Sequence, residues 1–201
     1  MLAYLIARLD MTDPAQAKDA YKRYVDGAGP AYEAHGARFL VRGGTAHPLE
    51  GDARARNVVI EFPSLEEARA CYESDVYQKA RAHRLSVADG EIVLVQGAVG
   101  PRDKPGPKKG YWIARRDVKD PAHYKKYVEG SGKAFEEYEA VFLARGGPHQ
   151  ALEGQARERN VLIEFPSVQH ALDCYHSDTY QRASENRVAA ATGETVIVEG
   201  A

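Results

Sequence analysis

Apolar residues alternate with polar ones in short runs along this chain, and between those runs they recur at helical spacing. "AYLIARL" (3–9), "ARFLVRGG" (37–44), "RNVVIEFP" (56–63) and "EIVLVQG" (91–97) alternate or run apolar over strand lengths. "DPAQAKDAYKRYVDGAGPAYEAHG" (13–36) places Tyr21, Tyr24, Val25 and Ala28 on one helical stripe. Asp13 stands as its N-cap and Pro14 at its first turn. Pro30 is expected to kink or interrupt this helix, and Gly36 to end it. Ser64 and Glu67 form a capping box for "SLEEARACYES", and Asp75 is placed to cap "VYQKARAHR". The order is β-α-β-β-α-β, the ferredoxin-like arrangement.

The same pattern is written twice. Residues 42–98 and 145–201 align without a gap and are identical at 32 of 57 positions. Upstream the offset changes from 103 to 107: "AYLIAR" (3–8) matches "GYWIAR" (110–115), so repeat one carries four extra residues near "AQAK". The expected domains are therefore 1–99 and 110–201, joined by a Gly-, Pro- and Lys-rich linker at 100–109. A four-stranded antiparallel sheet with helices on one face leaves its other face open. The fold class predicted is α+β: tandem ferredoxin-like βαββαβ repeats laying those faces together as an intramolecular, pseudo-dimeric α+β barrel. The alternative is two independent units on a linker.

Strand parity sorts the polar residues. Val58, Ile60 and Phe62 share the face expected to meet the helices. Tyr4, Arg8, Arg42, Asn57 and Glu61 fall on the other, and repeat two supplies Tyr111, Arg115, Arg145, Asn160 and Glu164. A bulge near the Gly-Gly pair would invert Arg42. These groups either tie the sheets together by ion pairs or line a polar cavity between them. In the second case Arg42 and Arg145 would hold ligand oxygens, and Glu61 and Glu164 would transfer protons. Tyr4, Tyr111, Asn57, Asn160, Arg8 and Arg115 would bind and orient the ligand.

The remaining candidates read as structural. Glu50 and Glu153, in "LEG", are expected in a turn between the central strands. Arg54, Arg56, Arg157 and Arg159 either rim a cleft or solvate a loop, and Tyr72, Tyr77, Tyr175 and Tyr180 pack the core. Cys71 and Cys174 read as small buried residues without CxxC company. The histidines share no metal-ligand spacing, and no phosphate loop or nucleophile elbow is present, so neither a metal nor a cofactor is expected.

Charge and composition narrow the partners. Among 201 residues, 28% are charged and the formal net charge is −2, with both signs interspersed, which gives nucleic-acid binding no support. No apolar run approaches a membrane span of roughly 20 residues, and "MLAYLIARLD" lacks a basic leader. A cytoplasmic protein is expected, monomeric as a fused pseudo-dimer or further paired as a homodimer, with a small molecule as its partner.

The ordered string "RGG", "LEG", "RNVVIEFPS", "CYESDVYQ" and the closing "VQG" resembles the domain of unknown function 1330 family, over nearly all of each repeat. The resemblance implies a dimeric α+β barrel and assigns no reaction and no catalytic residues. Repeat two has Glu139 where the family commonly has glycine. The function expected is the handling of a small polar or aromatic metabolite between the sheets, by metal-independent acid–base or oxidative chemistry. The competing expectation is a non-catalytic binding or accessory protein.

Overall fold

The structure, a computed structural model, describes residues 1–98, 100 and 108–201. Most of the expected linker, 101–107, lies outside the described residues. Repeat one folds as β1 (Ala3–Met11), α1 (Pro14–Ala34), β2 (Arg38–Arg42), β3 (Ala46–Glu50), β4 (Arg56–Phe62), α2 (Leu65–Glu73), α3 (Asp75–Leu85) and β5 (Ala88–Gln96). Repeat two follows as β6 (Gly110–Val118), α4 (Pro121–Glu137), β7 (Val141–Arg145), β8 (His149–Glu153), β9 (Arg159–Phe165), α5 (Val168–His176), α6 (Asp178–Ala190) and β10 (Ala191–Glu199).

Each sheet has five strands, not the four expected. The orders are β2-β4-β1-β5-β8 and β3-β10-β6-β9-β7, antiparallel throughout. The fifth strand is the segment read as the turn around "LEG": β8 of repeat two pairs with β5, and β3 of repeat one with β10. Two compact units result. The first holds Met1–Arg42, the chain from Arg54 through β5, and Pro148–Ala156. The second holds Gly43–Ala53, β6 through Gly147, and Arg157–Ala201. Pro48 is tolerated because β3 lies at a sheet edge beside a register shift.

In the first unit the helix face of the sheet is built from Leu5, Ala7, Val58, Ile60, Phe62, Ile92 and Leu94. Tyr24, Ala28, Ala31 and Tyr32 of α1 and Tyr77 and Ala80 of α3 pack on it. Burying each such large side chain contributes roughly 1.5–3 kcal/mol, so this stripe holds α1 on the sheet. Asp13 caps α1 by accepting from the amides of Ala15 and Gln16, and Asp120 caps α4 in the same way. The caps of α3 and α6 are Ser74 and Ser177, not Asp75 as expected; their hydroxyls accept from Tyr77 and Tyr180 amides.

The four extra residues of repeat one become one additional turn of α1, which has 21 residues against 17 in α4. At 1.5 Å per residue that is about 6 Å of extra helix. Contrary to expectation, α1 runs unbroken through Pro30. Both helices end in a left-handed residue, Gly36 (φ 64°) in repeat one and Glu139 (φ 55°) in repeat two. An L side chain there costs roughly 1–2 kcal/mol. Glu139→Gly is therefore expected to raise the unfolding free energy by about 1 kcal/mol, read as a higher urea midpoint. No gain would mean that the Glu139 side chain compensates for its backbone.

Candidate functional site

The residues expected to form a site divide between the two faces of each sheet. Tyr4, Arg8, Asn57 and Glu61 lie buried on the face opposite the helices, as strand parity predicts, and so do Tyr111, Arg115, Asn160 and Glu164. The Tyr4 hydroxyl donates to Glu61 Oε2 at 3.3 Å and the Tyr111 hydroxyl to Glu164 Oε2 at 3.0 Å. Arg38, which opposes Glu61 in the β2–β4 register, forms its ion pair. Arg8 pairs with Glu91 at 3.8 Å and Arg115 with Glu194 at 3.2 Å. Asn57 and Asn160 donate to the carbonyls of Arg54 and Arg157, closing the turn that enters the central strand.

Arg42 and Arg145 are elsewhere. A register shift between Phe39 and Val41 leaves Leu40 as the extra residue and sets Arg42 opposite Val58, on the helix face. The equivalent shift between Phe142 and Ala144 does the same for Arg145. Each guanidinium stacks on its own strand's aromatic ring, Arg42 at 3.9 Å from the Phe39 centroid and Arg145 at 4.2 Å from that of Phe142. The expected grouping of Arg42 with Glu61 is thus corrected: the sheet separates them.

The helix face of the first unit holds a cavity of about 340 Å³ between α1 and the sheet. A cavity was expected on the opposite face. Its floor is apolar and buried, with Leu5, Leu9, Ile60 and Ile92 from the strands and Tyr24 and Tyr32 from α1. Its exposed margin carries Val25, Gly29, Glu33 and Arg42. Arg56 reaches across the rim: its Nε donates to the Tyr21 hydroxyl at 2.9 Å and its Nη2 to the Arg42 carbonyl at 3.0 Å.

Arg84, on α3, is the one fully buried cation lining this cavity, with 0% exposure. Its Nη2 donates to Glu153 Oε1 at 2.5 Å and its guanidinium lies 5.4 Å from the Tyr24 ring centroid. Among the described residues, its Nε and Nη1 have no hydrogen-bond partner. Two nitrogen donors without partners on a buried guanidinium beside an apolar cavity are what an anionic or carbonyl oxygen would satisfy. Sequence reasoning missed Arg84. The available signal was a basic residue seven positions after Tyr77, on the same helical face, repeated as Arg187.

Glu153 holds Arg84 in place. It arrives on β8, the exchanged strand, and its Oε1 also accepts from Arg81 Nε at 2.8 Å and the Tyr72 hydroxyl at 3.0 Å. Burial alone would raise the Glu153 carboxyl, but hydrogen bonds and charge from Arg84 and Arg81 hold it below its ordinary value. Burial works against the charge on Arg84 as well, and the Glu153 carboxylate more than offsets it, so Arg84 stays protonated. Burial, reinforced by the Glu153 charge, pushes the Tyr72 phenol up to about 12. Burial likewise raises the phenols of Tyr21 and Tyr32. These hydroxyls stay protonated near neutral pH and serve as hydrogen-bonding groups, not as bases. Cys71, the buried thiol beneath α2, is pushed up to about 12 by burial and is no nucleophile.

The second unit repeats the plan with different fillings. Glu50, on the exchanged β3, accepts from Arg187 Nη1 and Nη2 at 2.7 and 2.6 Å, Arg116 Nη2 at 2.8 Å and the Tyr175 hydroxyl at 2.9 Å. Each exchanged glutamate thus receives two arginines and one tyrosine. The second arginine comes from a helix in unit one (Arg81, where repeat two has Ser184). In unit two it comes from a strand (Arg116, where repeat one has Leu9). The corresponding cavity is about 40 Å³.

Among the described residues no helix is long and apolar enough to cross a membrane. None of the functionally curated proteins compared matches this sequence. Solved structures share the fold, two of them as follows. A mutant chlorite dismutase from Candidatus Nitrospira defluvii is 10% identical over 100% of this chain and 90% of its own, with a TM-score of 0.58. An anthrone oxidase-like protein is 16% identical over 98% of this chain and 90% of its own, with a TM-score of 0.52. At such identities the likeness establishes fold alone: α+β with tandem ferredoxin-like repeats. The family model described as Domain of unknown function (DUF1330) matches twice, at residues 2–98 and 109–201, and the chain belongs to that family.

Proposed function

We propose that the protein binds a small, largely apolar or aromatic molecule bearing an anionic oxygen group, in the cavity between α1 and the sheet of the first unit. The observation that carries this reading is Arg84: fully buried, lining a cavity of about 340 Å³, with Nε and Nη1 open among the described residues. That volume falls in the range of small-molecule sites, and an apolar floor with few polar groups is their usual composition. The tyrosine and phenylalanine rings supply the apolar contact area, and Arg42 and Arg56 set a positive margin that favours anion entry.

The test uses 2-naphthoate as the probe, followed by calorimetry. Arg84→Met is expected to weaken binding about 10- to 100-fold, the value of one or two charge-assisted hydrogen bonds. Arg187→Met, its counterpart in the second unit, should leave the affinity unchanged. Equal affinities for wild type and Arg84→Met would remove the head-group assignment.

A second reading makes the protein a metal-independent enzyme doing acid–base or oxidative chemistry on a small molecule at the sheet face opposite the helices, away from that cavity. The Tyr4–Glu61 and Tyr111–Glu164 pairs favour it, since a buried carboxylate beside a phenol can relay a proton. A fold neighbour named oxidase-like also favours it. Replacing Glu61 and Glu164 together by Gln is expected to lower turnover of an identified substrate by about a hundredfold. Unchanged turnover would return both carboxylates to a purely structural role.

A further inference from the structure

The two helix–sheet interfaces derive from one sequence, yet one encloses about 340 Å³ and the other about 40 Å³. Most of their linings correspond residue for residue. Tyr21, Tyr24, Phe39, Arg42, Arg56 and Arg84 match Tyr124, Tyr127, Phe142, Arg145, Arg159 and Arg187. Three strand positions differ in kind: Leu5 corresponds to Trp112, Leu9 to Arg116 and Ile92 to Thr195. We propose that each chain carries one ligand site, in repeat one, and that Trp112 and Arg116 are the residues that close its counterpart in repeat two.

The first argument is steric. The Trp112 indole is 1% exposed and wedged among Phe135, Phe165, Tyr175 and Tyr180, with ring centroids 5.1–6.0 Å away. Leucine at the equivalent position 5 is a smaller side chain, and it lines the open cavity of repeat one. Arg116 adds a second buried side chain where Leu9 stands.

The second argument is the donor inventory. Both terminal nitrogens of Arg187 are engaged by Glu50. Those of Arg116 are engaged by Glu50, Thr195 and the carbonyls of Arg115 and Glu194. Arg84 gives Glu153 a single nitrogen, because Arg81 supplies the other cation from α3. Moving that second arginine from strand to helix therefore does two things in repeat one. It clears the cavity at Leu9, and it leaves Arg84 Nη1 without a hydrogen-bond partner among the described residues. Repeat two has little of that space, and each terminal nitrogen of Arg187 and Arg116 already holds a partner.

The chemistry of the ligand rests on the function proposed above; the count of sites does not, so the two are tested by different probes. Xenon requires only empty apolar volume, and 2-naphthoate requires the arginine as well. Wild type is expected to take up xenon at one helix–sheet interface and to bind one 2-naphthoate per chain. Leu5→Trp should abolish both. Trp112→Leu with Arg116→Leu and Ser184→Arg rebuilds repeat two on the pattern of repeat one, and should raise both counts to two. Xenon in both interfaces of the wild type would overturn the proposal. So would Leu5→Trp with undiminished binding, or a folded triple variant whose counts remain at one. If the triple variant does not fold, Leu5→Trp decides alone. Xenon counts as expected without 2-naphthoate binding would leave the site count standing and reject the ligand class.

Discussion

Glu153→Ala is expected to destabilise the fold by about 3–5 kcal/mol, the cost of stranding buried cations by removing their counter-ion. Arg84 has 0% side-chain exposure and Glu153 8%, so water cannot replace the lost carboxylate. The double variant Arg84→Met with Glu153→Leu should recover most of the loss, since an apolar pair of similar size needs no compensation. Glu33→Ala, at the exposed cavity margin, should change stability by less than about 0.5 kcal/mol. Urea unfolding of the variants measures all three. A loss under about 1 kcal/mol for Glu153→Ala would show that Arg84 is solvated and would weaken its place in the site. The pH dependence has a definite sign. The folded carboxyl titrates below its ordinary value of 4.5, so its contribution is complete above pH 4.5 and is lost as the pH falls through the lowered folded value. Glu153→Ala should flatten that acid limb.

Trp112→Ala should cost about 3–5 kcal/mol, because the indole fills a closely packed interface and its removal leaves a void. The homologous Leu5→Ala should cost only about 2 kcal/mol, near the low end for leucine, since one side of Leu5 already faces empty space. The difference follows from the unequal cavities and not from side-chain size alone. Equal losses in thermal or urea unfolding would indicate that the repeat-one cavity collapses in solution.

Much of the architecture is legible in local patterns. Asp13 and Asp120 cap their helices, and Tyr24 and Ala28 share the buried stripe. The faces of Val58, Ile60 and Phe62 against Tyr4, Arg8, Asn57 and Glu61 follow from the period of two. Each of these depends on residues within a few positions of one another. Arg42 was misplaced for the same reason: one extra residue at Leu40 reverses parity, and nothing in "RFLVRGG" marks it beyond the neighbouring glycines. Pro30 was expected to kink or interrupt α1; it does not interrupt it, since a helix anchored on both sides by Tyr24 and Tyr32 continues through it.

By itself the sequence determined the duplication, the βαββαβ order, the caps at Asp13 and Ser64 and the two-faced strands, because propensity, periodicity and capping act over short range. Tertiary structure alone decided that "LEG" is a strand given to the other repeat's sheet, since edge pairing depends on which free edge lies near and not on the strand's own pattern. That exchange brings Glu153 to Arg84 and Glu50 to Arg187, residues 69 and 137 positions apart. It also decided that two nearly identical linings enclose different volumes. Volume is set by how Trp112 or Leu5 meets side chains from a facing helix, and close packing makes one indole enough to fill the space.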